Sequence, residues 1–199
     1  MTLIERQPSA PVLPPPVLAT ARLRLRAPQR EDVSAIAALA NDRRIAENTA
    51  RIPHPYTLAD AEGFLRYLEE SETETAFAIT RADDALIGIC GLLMKPLKTP
   101  EIGYWLGAPY WGHGYATEAA RAVIDHAFEG LGLERLEAGA RVSNPASRRV
   151  LEKCGFQWSS VTLLRIRAVL RVFANESGDR KSTRLNSSHR LLSRMPSSA

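Results

Sequence analysis

From Glu101 to Glu118 the chain reads Glu-Ile-Gly-Tyr-Trp-Leu-Gly-Ala-Pro-Tyr-Trp-Gly-His-Gly-Tyr-Ala-Thr-Glu, and this stretch constrains the fold more than any other. Its first six residues alternate bulky apolar with small or polar side chains, which predicts a strand. Pro109 ends it, and Gly112-His113-Gly114 predicts a tight turn. Beyond the turn, Ala116, Ala119, Ala120, Val123, Ile124, Ala127 and Phe128 recur at helical spacing. A strand therefore feeds a Gly-rich turn that opens directly into a helix. The first N–H groups of such a helix lack intrahelical partners and lie at the positive end of its dipole. They are suited to holding phosphate oxygens without a charged side chain.

Spacing separates three kinds of phosphate loop with this outline. A Walker loop needs Gly-Lys-Ser/Thr entering the helix, whereas Gly114 is followed by Tyr115 and Ala116. A dinucleotide fingerprint needs Gly or Ala three residues after the second Gly, and position 117 is Thr. What remains is Gly-x-Gly-x-Ala, Gly112 to Ala116, after an aromatic pair. Gly-x-Gly alone would be no more than a corner whose glycines serve steric needs. The whole run Tyr-Trp-Gly-x-Gly-Tyr-Ala-Thr-Glu-Ala, however, resembles the acetyl-CoA pyrophosphate loop of the GNAT acetyltransferases, in their RimJ/RimL branch. It places Trp111 where the wider superfamily usually has Gln or Arg.

A second stretch resembles the other end of the same family's site. Asn144-Pro145-Ala146-Ser147 opens a helix, with Asn144 a good N-cap and Pro145 suited to the first helical position, and Glu152-Lys153-Cys154-Gly155-Phe156 closes it at a C′ glycine. A capped helix accounts for all these residues structurally. By resemblance, the Asn144 carboxamide contacts the pantetheine arm and Ser147 lies near the CoA sulfur. The resemblance runs from about Thr20 to Trp158 and implies an α/β (α+β) fold: a central, mixed, mostly antiparallel sheet flanked by helices. That sheet is expected to splay in its middle, between the strand at Glu101 and one at Leu133 to Val142. Acetyl-CoA would enter the gap as a short extra strand.

Elsewhere the pattern supplies the remaining elements. Thr20 to Arg26 alternates Leu23 and Leu25 with Arg22, Arg24 and Arg26, predicting a strand with one solvated face. Glu31 to Ala40 has helical spacing, and Asp42 to Tyr56 reads as irregular. Thr57, with Asp60 three residues on, predicts a capping box before a helix carrying Ala61, Phe64, Leu65 and Leu68. From Thr75 the period falls to two, giving strands 76–80 and 86–93 joined by a turn at Arg81 to Ala85.

The ends depart from this order. Residues 1–17 hold five prolines and read as an extended leader before a domain spanning 18–173. Beyond Trp158 the resemblance fails: Val161 to Phe173 alternates poorly and reads as one strand or a helix, so the family's terminal strand is expected to be absent or altered. Residues 174–199 are expected to be a disordered, non-native tail. Asp179 to His189 looks like a translated sequencing-library adapter, the alternative being a natural Ser/Arg-rich tail. Residues 179–199 carry the whole formal charge of +4, through five basic residues against Asp179. The body is neutral, which argues against a broad basic face for nucleic acid. Cys90 and Cys154 sit in apolar settings and read as reduced core thiols rather than a disulfide or metal site. No apolar run approaches the ~20 residues of a membrane span. The expected setting is cytoplasmic, as a monomer or homodimer.

Acetyl transfer from a thioester to an amine needs a group to take the amine proton, N–H donors for the developing oxyanion, and an acid or hydrogen bond for the leaving thiolate. The resemblance implies that Trp111, Gly112, His113, Gly114, Tyr115, Ala116 and Thr117 hold the CoA phosphates. The strand backbone at Trp105 and Leu106 is the candidate for the carbonyl, with Asn144 and Ser147 nearer the sulfur. Glu101, at the head of the central strand, is the first candidate base. His54 is the second, in a Pro-flanked loop beside Tyr56 where the family places acceptor recognition. Glu118 reads as a complement to the helix dipole. The expected function is acetyl-CoA-dependent N-acetylation of a primary amine, either a protein N-terminal α-amine or a small amine, by direct transfer. The alternative is an acetyl-CoA-binding or sensor module without turnover.

Overall fold

The structure is a computed structural model that describes residues 15–96, 98–164 and 167–175, with side chains described as far as Val161. Eight strands form one sheet: β1 (Leu18–Ala19), β2 (Leu23–Arg26), β3 (Glu74–Arg81), β4 (Leu86–Leu93), β5 (Glu101–Leu106), β6 (Arg135–Arg141), β7 (Gln157–Leu164) and β8 (Arg167–Asn175). Their order is β1-β2-β3-β4-β5-β6-β8-β7. Every pairing is antiparallel except β5 with β6, which run parallel and pair only at Glu101↔Glu137 and Ile102↔Ala138. Beyond those two pairs the strands part, so the expected splay is present. Its closed end lies at Glu101 and its open end at Leu106.

Five helices cover the two faces: α1 (Val33–Ala40), α2 (Arg43–Asn48), α3 (Leu58–Glu70), α4 (Tyr115–Asp125) and α5 (Pro145–Lys153). Strand periodicity sends alternate residues to opposite faces, and the core divides accordingly. On one face Leu25, Phe77, Ile87, Ile102 and Leu106 pack against Ala119, Ala120 and Val123 of α4 and Leu151 of α5. On the other, Ala76, Ala78 and Ile89 pack against Ile36 and Ala40 of α1 and Ala61 and Leu65 of α3. The sheet is thus the middle of three layers. Thr57 caps α3 in a full capping box, its Oγ1 accepting from the Asp60 N–H at 3.3 Å while the Asp60 carboxylate accepts from the Thr57 N–H at 2.8 Å.

Three expectations are corrected. The terminal strand is not missing: β7 (Gln157–Leu164) and β8 (Arg167–Asn175) pair as an antiparallel hairpin, and β8 lies between β6 and β7. The stretch 161–173 holds the end of β7 and the start of β8, so no single strand's alternation runs through it. The hairpin also carries regular structure through Asn175, two residues beyond the expected boundary at 173; residues 176–199, and with them most of the expected tail, lie outside the described residues. Second, Asp42 to Tyr56 is not wholly irregular, because Asp42 caps α2 by accepting from the Arg44 N–H at 2.8 Å. Third, Arg26 is buried rather than solvated, its Nη1 and Nη2 donating to both oxygens of Asp32 at 2.7 and 2.9 Å.

Candidate active site

The turn after β5 is built as the sequence suggests. Gly112 and Gly114 have φ of +82° and +80°, a region a side chain would strain, and Gly114 is the residue from which α4 starts. A Cβ on Gly112 would meet nothing within 4 Å, so the backbone angle and not crowding requires glycine there. Trp111, His113 and Gly114 are exposed, while Tyr115, Ala116 and Thr117 are half-buried in the first turn of α4. The Trp111 indole donates to the Leu106 carbonyl at 2.7 Å, and the Arg44 guanidinium lies over its ring at 4.9 Å. From this turn an open groove of about 1070 Å³ follows α4 past Thr117 and Arg121 to Gly130, lined also by Thr20, Arg22 and Lys153.

Backbone phase decides which strand amides face the gap. Gly107 N–H donates to Ile87 O at 2.9 Å, and the register pairs Leu106 with Gly88 and Trp105 with Ile89. Antiparallel residues alternate between exchanging hydrogen bonds with the partner strand and pointing away from it. Trp105 therefore spends its N–H on β4, whereas Tyr104 and Leu106 turn theirs toward the gap. Of the two expected amides only that of Leu106 faces the gap, with that of Tyr104 beside it. The Trp105 side chain packs with the α1–α3 layer.

Asn144 and Ser147 come together at the start of α5. The Asn144 Oδ1 accepts from the Ser147 N–H at 3.0 Å, so the carboxamide is committed to the cap on its oxygen side. The Ser147 hydroxyl lies 3.0 Å from the Tyr104 hydroxyl, which also donates to the Ser147 carbonyl at 3.2 Å. Burial pushes the Tyr104 phenol far above its ordinary range, so it stays protonated. The sequence reading missed Tyr104. Its signal was a hydroxyl among the core-facing residues Ile102 and Leu106, where a buried Tyr needs a polar partner.

Glu101 stands at the closed end, not beside Ser147 along the strand. Lys95 Nζ is bonded to its carboxylate and to Glu137 Oε1, the latter at 2.7 Å. Burial works to lower the Lys95 pKa, but the bonds to Glu101 and Glu137 outweigh it and hold the ammonium above its ordinary value. His54 is exposed in the loop between α2 and α3. That loop is tied down nearby, where the Tyr56 N–H donates to Asn41 Oδ1 at 3.0 Å. Glu118 does more than complement a dipole: its carboxylate accepts from the Thr20 hydroxyl at 2.7 Å and from the Arg22 N–H and Nε at 2.9 and 2.7 Å. Burial works to raise the Glu118 pKa, yet these bonds prevail and lower it. Among the described residues, no group of His, Cys, Asp and Glu is arranged to hold a metal ion, and no helix is long and apolar enough to cross a membrane.

Comparison with known proteins identifies the family. Residues 22–157 match the family described as acetyltransferase (GNAT) domain. The chain is 32% identical over 159 residues to the uncharacterized N-acetyltransferase YoaA of Bacillus subtilis, covering 73% of this chain and 85% of that protein. It is 46% identical over 91 residues to the probable N-acetyltransferase YjcK of the same organism, covering 44% of this chain and about half of YjcK. To the ribosomal-protein-serine acetyltransferase of Escherichia coli it is 40% identical over 76 residues, covering 37% and 42% of the two chains. Among solved structures, the spermidine N-acetyltransferase from Vibrio cholerae in complex with CoA and spermine superposes with a TM-score of 0.68 at 24% identity, covering 79% of this chain and 98% of that one. The chain belongs to the GNAT acetyltransferase family and is an acyltransferase.

Proposed function

We propose that this acyltransferase uses acetyl-CoA to acetylate a primary amine by direct transfer, the acceptor being a protein N-terminal α-amine or a small amine. One observation carries the reading: the left-handed glycine turn stands at the open end of the β5–β6 splay, into which Tyr104 and Leu106 turn their N–H groups. The turn from Trp111 to Thr117 would receive the pyrophosphate, and Leu106 N–H would donate to the thioester carbonyl. The two acceptor classes draw on the E. coli relative, named for a ribosomal protein, and on the V. cholerae neighbour, named for spermidine.

In direct transfer the amine nitrogen bonds to the acetyl carbon, the carbon–sulfur bond breaks, and the amine proton leaves while the thiolate gains one. Ser147 would donate to the departing sulfur, with Tyr104 orienting its hydroxyl. Glu101, five residues or ~16 Å along β5 from Leu106, would take the amine proton through a chain of water; His54 is the alternative route. Glu101→Gln should remove the acidic limb of the pH–rate profile, and an unchanged profile assigns the proton to that alternative.

The test of the loop is calorimetric titration of acetyl-CoA into wild type and Gly114→Val. The variant places a branched side chain at φ +80° and forfeits two or three N–H···phosphate bonds at ~1.5 kcal/mol or more each, weakening binding on the order of 100-fold. A folded variant of unchanged affinity overturns the assignment. Consumption of acetyl-CoA against ribosomal-protein N-terminal peptides and polyamines then identifies the acceptor.

A further inference from the structure

We infer that Arg22 is a positioning residue that fixes which way the His113–Gly114 peptide points, and with it the anion-binding face of the turn; the inference rests on the acetyl-CoA reading above. A glycine turn gains its shape at the cost of steric restraint. Gly112 and Gly114 can adopt φ of either sign, so the peptide between them is free to flip unless something outside the turn holds it. The holding group comes from 91 residues earlier in the chain: Arg22 Nη1 donates to the His113 carbonyl at 3.0 Å.

The other two guanidinium nitrogens are also committed. Nε and Nη2 both reach Oε2 of Glu118, at 2.7 and 2.6 Å, and the guanidinium carbon lies 4.6 Å from the centre of the Tyr115 ring. Glu118 is itself anchored by the Thr20 hydroxyl at 2.7 Å. A planar fork held at one edge and stacked on a ring has a fixed direction for its remaining N–H. In a trans peptide the C=O and N–H point opposite ways. Holding the His113 carbonyl on Arg22 therefore turns the Gly114 N–H away from Arg22, to the opposite side of the turn. The clamp sets one hydrogen-bond donor for phosphate without spending the charge of Arg22 on the ligand.

Simple attraction between Arg22 and phosphate makes the opposite prediction, and two variants separate them. Arg22→Lys keeps the charge but cannot bridge Glu118 and His113 with a rigid fork. Glu118→Gln removes a negative charge near the anion while loosening the anchor of Arg22. Calorimetric titration with CoA should show about tenfold weaker binding for Arg22→Lys, the loss of one N–H···anion bond, and severalfold weaker binding for Glu118→Gln. In ligand-free Arg22→Lys the Gly114 amide resonance should broaden or split as the peptide samples both orientations. In wild type that resonance should shift when CoA is added, a measurement that does not depend on any variant folding. Wild-type affinity in Arg22→Lys, tighter binding in Glu118→Gln, or a Gly114 signal unmoved at CoA saturation each overturns the positioning role alone. Absence of CoA binding by wild type overturns it together with the reading beneath it.

Discussion

The two ends of β5 are held in different ways. At Glu101 the strand is bound to β6 through main chain and charge: Glu137 N–H donates to Pro100 O at 2.8 Å, and Lys95 bridges Glu101 and Glu137 across the pair. At Leu106, on the same edge, the carbonyl is capped by one side chain, the Trp111 indole. The right-handed twist of adjacent strands would let any loosely paired parallel strands diverge. Here the point of divergence is pinned, and the diverging end is supplied with a side-chain donor in place of a strand. A pinned end and a capped end turn a gap in a sheet into a slot of fixed position, and an extended ligand can complete its ladder.

Breaking the pinned end should have the largest effect. Lys95→Met removes the ammonium that bridges the Glu101 and Glu137 carboxylates across the strand pair. Breaking such a pair from one side costs about 3–5 kcal/mol, which for a domain of this size lowers the melting temperature on the order of 10 °C. The pH dependence has a definite sign. Because the folded-state pKa of Lys95 is raised, its contribution is fully present below the ordinary value of 10.5 and is lost as pH climbs through the raised value. Wild type should therefore shed stability in alkali that Lys95→Met never had. A variant melting within 2 °C of wild type shows that main-chain pairing alone pins the strand.

Between the two ends sits the Tyr104–Ser147 pair, whose effect should fall on turnover and not on fold. Ser147→Ala and Tyr104→Phe should each lower kcat by roughly 10–100-fold with acetyl-CoA affinity nearly intact, because the bond to sulfur strengthens as the thiolate forms. The double variant should be little worse than the poorer single one, since the two hydroxyls act as a unit. Full turnover in Tyr104→Phe reduces Tyr104 to a packing residue.

The contrast also separates what the sequence made legible from what it hid. Elements written in local patterns were readable: the change of period at Thr75, the capping box at Thr57 and Asp60, the Asn144 cap, and the strand–glycine–helix run from Glu101 to Glu118. Each depends on residues a few positions apart. The devices that finish the slot were not readable, because they join residues far apart in sequence. Lys95 meets Glu137 across 42 residues and Arg22 meets Glu118 across 96. Helix α2 escaped because a six-residue helix with one buried apolar residue, Ile45, shows no period. Strand β8 escaped because the stretch 161–173 holds parts of two strands, β7 and β8, and shows no single period. The phase that turns Leu106 and not Trp105 toward the gap comes from pairing register, which residue types do not encode.

The smallest effect should come from the capped end. Trp111→Phe removes one hydrogen bond to a main-chain carbonyl while leaving a ring for Arg44 to cover. Trp111 is 41% exposed, so little core packing is lost with the indole. Losing the partner of a single carbonyl costs about 1 kcal/mol, or roughly 2–4 °C in melting temperature, a fraction of the cost at Lys95. The effect on acetyl-CoA should be weak as well, because the Leu106 N–H, not its carbonyl, is the group assigned to the thioester. A few-fold change in affinity with kcat unaltered is the expected result. If Trp111→Phe melts as low as Lys95→Met, the turn beside the open end carries as much of the fold as the ion bridge at the closed one. The two ends would then differ in chemistry and not in strength.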